Sequence, residues 1–162
     1  MRWALAAIGL AACGTSFEGT YRVDEVTMRT CDDANPQPVA PAAAFVDMYR
    51  ADGVLTSELC DDAPERRCVQ RLTWMDAPGG ATADSAAGTV TANVCELDFF
   101  THAAQVDGDQ LRLTSTRYTQ SIPFDVTLGC DEALARSRGI GMPCAGKQTI
   151  AATRADAPFP GP

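Results

Sequence analysis

Alternation of apolar and polar residues predicts a long first strand over residues 16–30. Tyr21 alternates with polar neighbours, and the alternation continues from Val26 in the opposite phase. Because side chains of a strand point to the two faces in turn, a change of phase would expose the buried face. One extra residue in the strand would return the following apolar side chains to the buried face, so the sequence predicts a β-bulge at Asp24-Glu25.

Two pairs of further strands are separated by turns of the kind that close β-hairpins. Asp52-Gly53 is a strong two-residue hairpin signal, and residues 106–110 contain a second Asp-Gly turn. The strands joined by these turns are predicted at residues 45–50 and 54–59, and at residues 89–104 and 111–118.

The remaining segments are assigned by composition and turn signals. Strands are also predicted at residues 69–75, 122–128 and 147–154, and loops at residues 32–44, 61–67 and 76–88, the last a flexible one. Residues 131–137 form the one predicted helix of the mature chain, since acidic residues begin it and Gly139 follows it. A proline-rich segment, residues 155–162, is expected to be a disordered tail.

About eight short strands with one helix before the last strand predict a mainly β fold. This pattern is typical of a small antiparallel barrel or sandwich. The 162 residues are enough for one domain, which we place at residues 17–154.

Both ends of this domain resemble lipocalin-like barrels. Residues 17–21 read Phe-Glu-Gly-Thr-Tyr, which is similar to the Gly-x-Trp opening of that family with Tyr21 in the position of the tryptophan. Arg154 matches the basic residue that packs across this aromatic ring, and the helix precedes the last strand as in the family. The resemblance implies a barrel that binds a small apolar ligand.

The first residues predict export and a lipid anchor. Residues 1–12 contain one cation and then an uncharged run that is too short to span a bilayer but suits a signal peptide. Leu10-Ala11-Ala12-Cys13 resembles the lipobox of bacterial lipoproteins. The resemblance implies cleavage before Cys13, acylation of Cys13 (palmitate is a typical chain), a tether over residues 13–16 and, since Gly14 follows, attachment to the outer membrane. An ordinary signal peptide with an incidental cysteine is the alternative.

Six further cysteines predict three disulfides, as expected of an exported domain. These are Cys31, Cys60, Cys68, Cys95, Cys130 and Cys144. Of the 15 possible pairings, proximity in sequence favours Cys60–Cys68 and Cys130–Cys144, which leaves Cys31–Cys95. No Cys-x-x-Cys pair is present and His102 is the single histidine, so we expect neither a metal site nor a cofactor.

Charge and motifs give little indication of catalysis. Thirteen basic against 21 acidic residues give a net charge of −8, which argues against nucleic acid as a partner. His102 is interpreted as a structural or surface residue, since no Gly-x-Ser-x-Gly motif accompanies it. Adjacent acidic residues at 32–33 and 61–62 are interpreted as solvated loop charges, and Asp107-Gly108-Asp109 as a hairpin rather than a calcium loop.

The predicted function is therefore non-enzymatic. We expect a lipid-anchored envelope protein that binds a small apolar ligand or a partner protein. Four aromatic residues are expected to line the barrel interior: Tyr49, Trp74, Phe99 and Tyr118. The alternative is a structural or interaction module of the outer membrane with a filled core, and a remote alternative is an envelope hydrolase that uses paired carboxylates.

Overall fold

The computed structural model describes residues 16–63 and 67–155. The predicted signal peptide, the predicted lipidation site Cys13 and most of the predicted tail lie outside these residues, as do residues 64–66.

The described residues form nine strands and one α-helix. The strands are β1 (Gly19–Arg29), β2 (Gln37–Val39), β3 (Phe45–Ala51), β4 (Val54–Cys60), β5 (Cys68–Ala77), β6 (Gly80–Thr91), β7 (Val94–Asp107), β8 (Gln110–Pro123) and β9 (Cys144–Arg154). Helix α1 (Glu132–Arg138) and a 3-10 turn (Gly139–Gly141) lie between β8 and β9.

Eight of the strands close into an antiparallel barrel. The order is β1-β3-β4-β5-β6-β7-β8-β9, and β9 pairs again with β1. The short strand β2, which lies in a segment predicted as a loop, pairs with β1 on the edge opposite β9. Pairing between β5 and β6 is confined to Met75–Ala77 opposite Gly80–Thr82, so it is the shortest contact of the ring. The predicted mainly β fold is confirmed, with a barrel rather than a sandwich.

Local signals in the sequence are confirmed where they are strongest. The register of β1 against β9 shifts between Val23 and Glu25, which is the predicted bulge. Asp52 and Gly53 both have positive φ (52° and 82°), as a two-residue hairpin of type I′ requires. Helix α1 begins at Asp131, whose side chain accepts a hydrogen bond of 2.9 Å from the Leu134 N–H, and ends at Gly139 with φ 49°.

Residues 76–88 are not a flexible loop, and this prediction is wrong. Most of them belong to β6, which pairs with β7 from Ala81 opposite Ala104 to Thr91 opposite Val94. The small side chains that favoured a loop leave room for the segment before α1, because a Cβ at Gly88 would lie 2.6 Å from the Asp131 nitrogen. Long-range pairing and close packing therefore override the weak β-propensity of this segment.

Two strand boundaries also differ from the prediction. Residues 89–104 are not one strand, since Ala92 and Asn93 have positive φ (47° and 65°) and turn the chain between β6 and β7. Residues 122–128 are not a separate strand, because β8 continues to Pro123 and Asp125 then accepts a hydrogen bond from the Thr127 N–H in a turn. An Ala-Asn turn lacks the glycine by which hairpins are recognised in sequences.

Three disulfides are present, but two of the favoured pairings are wrong. The bonds join Cys31 to Cys144, Cys60 to Cys68 and Cys95 to Cys130. Pairing of β1 with β9 sets Arg29 opposite Lys147, and this register brings Cys31 beside Cys144. Cys130 precedes α1, which packs on β7, so it reaches the buried Cys95.

The apolar side chains form two clusters on opposite faces of the sheet. The first fills the barrel and takes residues from all eight strands of the ring, among them Tyr21, Met48, Leu55, Trp74, Ala81, Ala104, Leu111 and Ala152. The second lies between the outer face and α1 and contains Cys95, Leu97, Ala135 and Met142. The helix therefore covers a layer of its own outside the barrel.

Loss of a disulfide is expected to destabilise the protein more when the bond closes a longer loop, with the logarithm of loop length. Replacing Cys31 and Cys144 by serine should lower the free energy of unfolding by about 5 kcal/mol, against about 2.5 kcal/mol for Cys60 and Cys68, because the longer loop restricts the unfolded chain more. Urea unfolding of the two double variants measures the difference. Peptide mapping of unreduced protein supplies the control, and a Cys31–Cys95 peptide would contradict the structure.

Candidate functional site

The structure does not bring the four expected lining aromatics together. Trp74 belongs to the interior cluster, but Tyr49 follows the interior residue Met48 in β3 and so points outward. Its hydroxyl donates a hydrogen bond of 2.9 Å to Glu58, and the Arg71 guanidinium lies 6.0 Å from its ring. Partial burial and the Glu58 carboxylate raise the pKa of Tyr49.

Phe99 and Tyr118 lie under α1, on the outer face. They pair across β7 and β8 with ring centroids 6.4 Å apart and pack against the cluster that contains Leu97 and Ala135. The expectation of a shared aromatic interior is thus corrected for Tyr49, Phe99 and Tyr118. The sequence prediction assumed that only one face of each strand is buried, whereas α1 also buries part of the outer face of β7 and β8.

A hydrogen-bonded polar group lies among the apolar side chains of the interior. His102 is 4% exposed, with Nδ1 at 2.8 Å from the Ser115 hydroxyl and Nε2 at 3.1 Å from the Ser85 hydroxyl. Trp74 donates its indole N–H to Ser57 at 2.8 Å. These bonds satisfy polar atoms that would be costly to bury alone.

Two aromatic rings lie beside the imidazole, in addition to the hydroxyls at its two nitrogens. Phe100 stacks on it at 6.1 Å, and Trp74 meets it edge-on at 6.3 Å. Burial lowers the pKa of His102, while the negative charge of Asp84 opposes this effect. A serine hydroxyl beside an imidazole supplies the nucleophile and the base of a catalytic triad, but the other ring nitrogen here faces a hydroxyl and not the orienting carboxylate. The environment is that of a structural link between β6, β7 and β8.

Sequence reasoning missed the serine partners of His102. Ser85 on β6 and Ser115 on β8 point to the same side of the sheet as His102 on β7. Their proximity to His102 is visible only from the strand register. Each serine lies two residues from a buried side chain, Ala83 or Leu113, and this spacing is the signal that the serines also face inward.

An open pocket of about 420 Å³ lies on the outer face of β6, β7 and β8, and we call it the outer pocket. Its ends are apolar and exposed: Met75 on β5 is 62% exposed and Ile140 in the 3-10 turn is 69% exposed. Phe99 forms part of the wall. Four threonines also line it, namely Thr82, Thr101, Thr114 and Thr116. The pocket thus offers apolar contact at its edges and hydroxyl groups between them.

An ion pair fixes the helix beside the outer pocket. Arg136 of α1 pairs with Asp84 of β6, and its Nε donates to Glu132 at 2.8 Å. Hydrogen bonds to these two carboxylates raise the pKa of Arg136. Because Asp84 also lines the pocket, the ion pair ties the position of the helix to the shape of the pocket.

At one end of the barrel, Arg154 lies across Tyr21 as the lipocalin resemblance implies. Its guanidinium is 4.9 Å from the ring and donates to the Tyr21 hydroxyl at 2.7 Å and to the Glu18 carbonyl at 2.6 Å. Burial raises the pKa of Tyr21, although Arg154 acts against it. A Cβ at Gly19, which has φ 150°, would lie 2.3 Å from the guanidinium. This position therefore needs glycine.

Two of the acidic residues considered from the sequence accept hydrogen bonds within their own loops. Asp33 accepts a hydrogen bond from the Asn35 N–H, and Asp61 accepts one from the Ala63 N–H. Asp47 lies beside Cys60 and Cys68, a set that has the residue types of a metal site. The two sulfurs are bonded to each other, so neither is a thiolate available to an ion.

Comparison with known proteins gives no relative. The chain matches no family model, no curated protein and no solved structure. Within residues 16–63 and 67–155, no helix has the length and apolar character needed to cross a membrane.

The lowered pKa of His102 predicts a pH dependence of stability. Since the unfolded imidazole binds a proton more readily than the folded one, the His102 contribution is complete above pH 6.5 and falls as the pH decreases below that value. His102→Gln should lose about 1–3 kcal/mol at pH 7, because two buried hydroxyls change partners. Between pH 7 and pH 5 the free energy of unfolding should fall less for the variant than for the parent, because the variant has no imidazole to protonate.

Urea unfolding at a series of pH values measures both effects. His102 is the one histidine in the chain, so the comparison isolates a single imidazole. Equal pH slopes in the two proteins would show that burial does not perturb this group.

Proposed function

We propose that the protein is a lipid-anchored, non-enzymatic binding protein of the bacterial cell envelope. Three disulfides indicate an extracytoplasmic domain, because such bonds persist in oxidising compartments. The anchor is inferred from the resemblance of residues 10–13 to a lipobox. A lipocalin-like barrel is supported by its closed sheet and by the contact between Arg154 and Tyr21.

The outer pocket is the observation on which ligand binding depends. Its volume of about 420 Å³ is within the range of small-molecule sites. Met75, Phe99 and Ile140 offer apolar contacts, and the threonine hydroxyls offer hydrogen bonds. We therefore propose a small, mainly apolar ligand that carries a hydroxyl or carbonyl group, bound on the outside of the barrel.

A structural or interaction module is the second candidate. Side chains from all eight strands fill the barrel, with Trp74 and His102 hydrogen-bonded inside it. In this case a partner protein would cover the exposed Met75 and Ile140 instead of a small ligand. A hydrolase based on paired carboxylates is the remote alternative, since Asp33 and Asp61 bind their own loops.

The outer pocket can be tested with an apolar fluorescent probe. Ile140→Asp should weaken binding of the probe about tenfold, because a charge would be placed against the apolar end of the ligand. Val126→Asp is the matched control: Val126 is 80% exposed and does not line the pocket. Fluorescence titration gives the dissociation constants. Equal binding by the two variants, or no binding by the parent, would favour the interaction module.

The lipid anchor has its own test. Cys13→Ala should move the protein from the membrane to the soluble fraction, because no thiol is then available for acylation. Cell fractionation followed by immunodetection measures the change. Thr15→Ala is a useful control, since it lies two residues from Cys13 but leaves the lipobox residues and the three disulfides intact. Membrane association that survives the change at Cys13 would support the ordinary signal peptide.

A further inference from the structure

A second, smaller pocket carries positive charge on a protein of net charge −8. It has a volume of about 210 Å³ on the outer face of β1, β8 and β9. Three cationic side chains and two threonine hydroxyls line it: Arg29, Arg112, Lys147, Thr27 and Thr149. The loop before β2 forms its wall with Ala34 and Pro36. We propose that this basic pocket binds a phosphoryl group.

Strand register explains how the basic pocket is assembled. Arg29 on β1 lies directly opposite Lys147 on β9, and Thr27 lies opposite Thr149 in the next row of the same face. Arg112 on β8 lies opposite Ala151, on the other side of the threonine row. The cations thus flank the two hydroxyls, which are half-buried and are able to donate hydrogen bonds to a ligand.

Placing Arg29 opposite Lys147 costs stability, because like charges directly across an antiparallel pair repel. Among the described residues, five other arginines (Arg50, Arg71, Arg117, Arg136 and Arg154) pair with carboxylates, whereas Arg22 and Arg138 do not. No ion pair in the same residues includes Arg29, Arg112 or Lys147. Lys147 is also the one lysine of the chain. An anion between these groups would replace the missing carboxylates.

A covalent bond holds this repulsive arrangement together. The Cys31–Cys144 disulfide lies two residues after Arg29 and three residues before Lys147. It keeps the ends of β1 and β9 together where their charges would separate them. Arg29 is further oriented by a hydrogen bond of 3.4 Å to the Asp33 carbonyl, which uses one of its five donors. The site is therefore preorganised for its ligand.

The donor set indicates the class of ligand. Two guanidinium groups offer paired N–H donors that match the oxygens of a phosphoryl group, and the ammonium adds a point charge. One carboxylate has too few oxygens to serve three cations and two hydroxyls. Glu25 is the acidic residue of the same face, opposite Ala151, and it forms no ion pair with the cluster among the described residues. A phosphoryl group can come from a phospholipid headgroup or from a soluble phosphate ester.

Equilibrium dialysis of the full chain with labelled inorganic phosphate tests the basic pocket. Arg112→Gln and Lys147→Gln should each weaken phosphate binding about tenfold, since each removes a charged hydrogen-bond donor. Arg138→Gln is the matched control: Arg138 is exposed in the last turn of α1 and does not line the pocket. Lys147→Gln should melt at the same temperature as the parent or higher, because it relieves the repulsion with Arg29.

Two further measurements separate the sources of the phosphoryl group and the two pockets. The Cys13→Ala protein, which cannot be acylated at that cysteine, is sedimented with phosphatidylcholine vesicles that either contain or lack phosphatidate. Sedimentation only with phosphatidate indicates a lipid headgroup, and binding of glycerol phosphate without sedimentation indicates a soluble ester. Ile140→Asp should leave phosphate binding unchanged, so failure of the outer pocket does not affect this test. Absence of phosphate binding, or equal binding by the Lys147 and Arg138 variants, overturns the proposal.

Discussion

Closure of the sheet between β1 and β9 is the constraint on which the rest of this structure depends. The contact joins residues more than a hundred positions apart, so closing it costs considerable chain entropy. Two interactions of different kinds support it at opposite ends. Arg154 lies across Tyr21 at one end, and the Cys31–Cys144 disulfide joins the strands at the other. With the ring closed, its interior becomes the main apolar core of the protein.

The interior shows how a barrel with few large residues is filled. Alanines at several positions leave space for the rings of Tyr21, Trp74 and His102. Because these rings carry polar atoms, serine and arginine partners had to be buried or brought to the rim with them. Such a core is already occupied, and helix α1 then creates the outer pocket by covering only part of the second face. Because the inside is filled, the open pocket lies on the outside of the barrel.

Sequence patterns predicted the features whose causes are local. The phase change at Asp24-Glu25, the Asp52-Gly53 turn and the short helix that follows Asp131 are each decided by neighbouring residues, and each is confirmed. Features that depend on residues distant in sequence were not predicted. Strand β6 has weak β-propensity and exists because β7 pairs with it. The partner of Cys31 follows from a register that no spacing reveals, and the facing of Phe99 depends on a helix that covers it.

The same limit applies to the candidate sites. Trp74 was identified because a tryptophan in a strand belongs in a core, but the serines around His102 and the cations around Thr149 are ordinary residues until the strands are aligned. Their grouping is a property of pairing and not of composition.

The brief pairing of β5 with β6 has a consequence for the motions of the molecule. Three residue pairs join these strands, whereas five join β4 to β5 and eleven join β6 to β7. The ring therefore has a seam, and local opening with amide exchange should begin there, well before the β1–β9 contact yields. Because Met75 lies at this seam and also lines the outer pocket, local opening of the barrel there would also change access to the pocket.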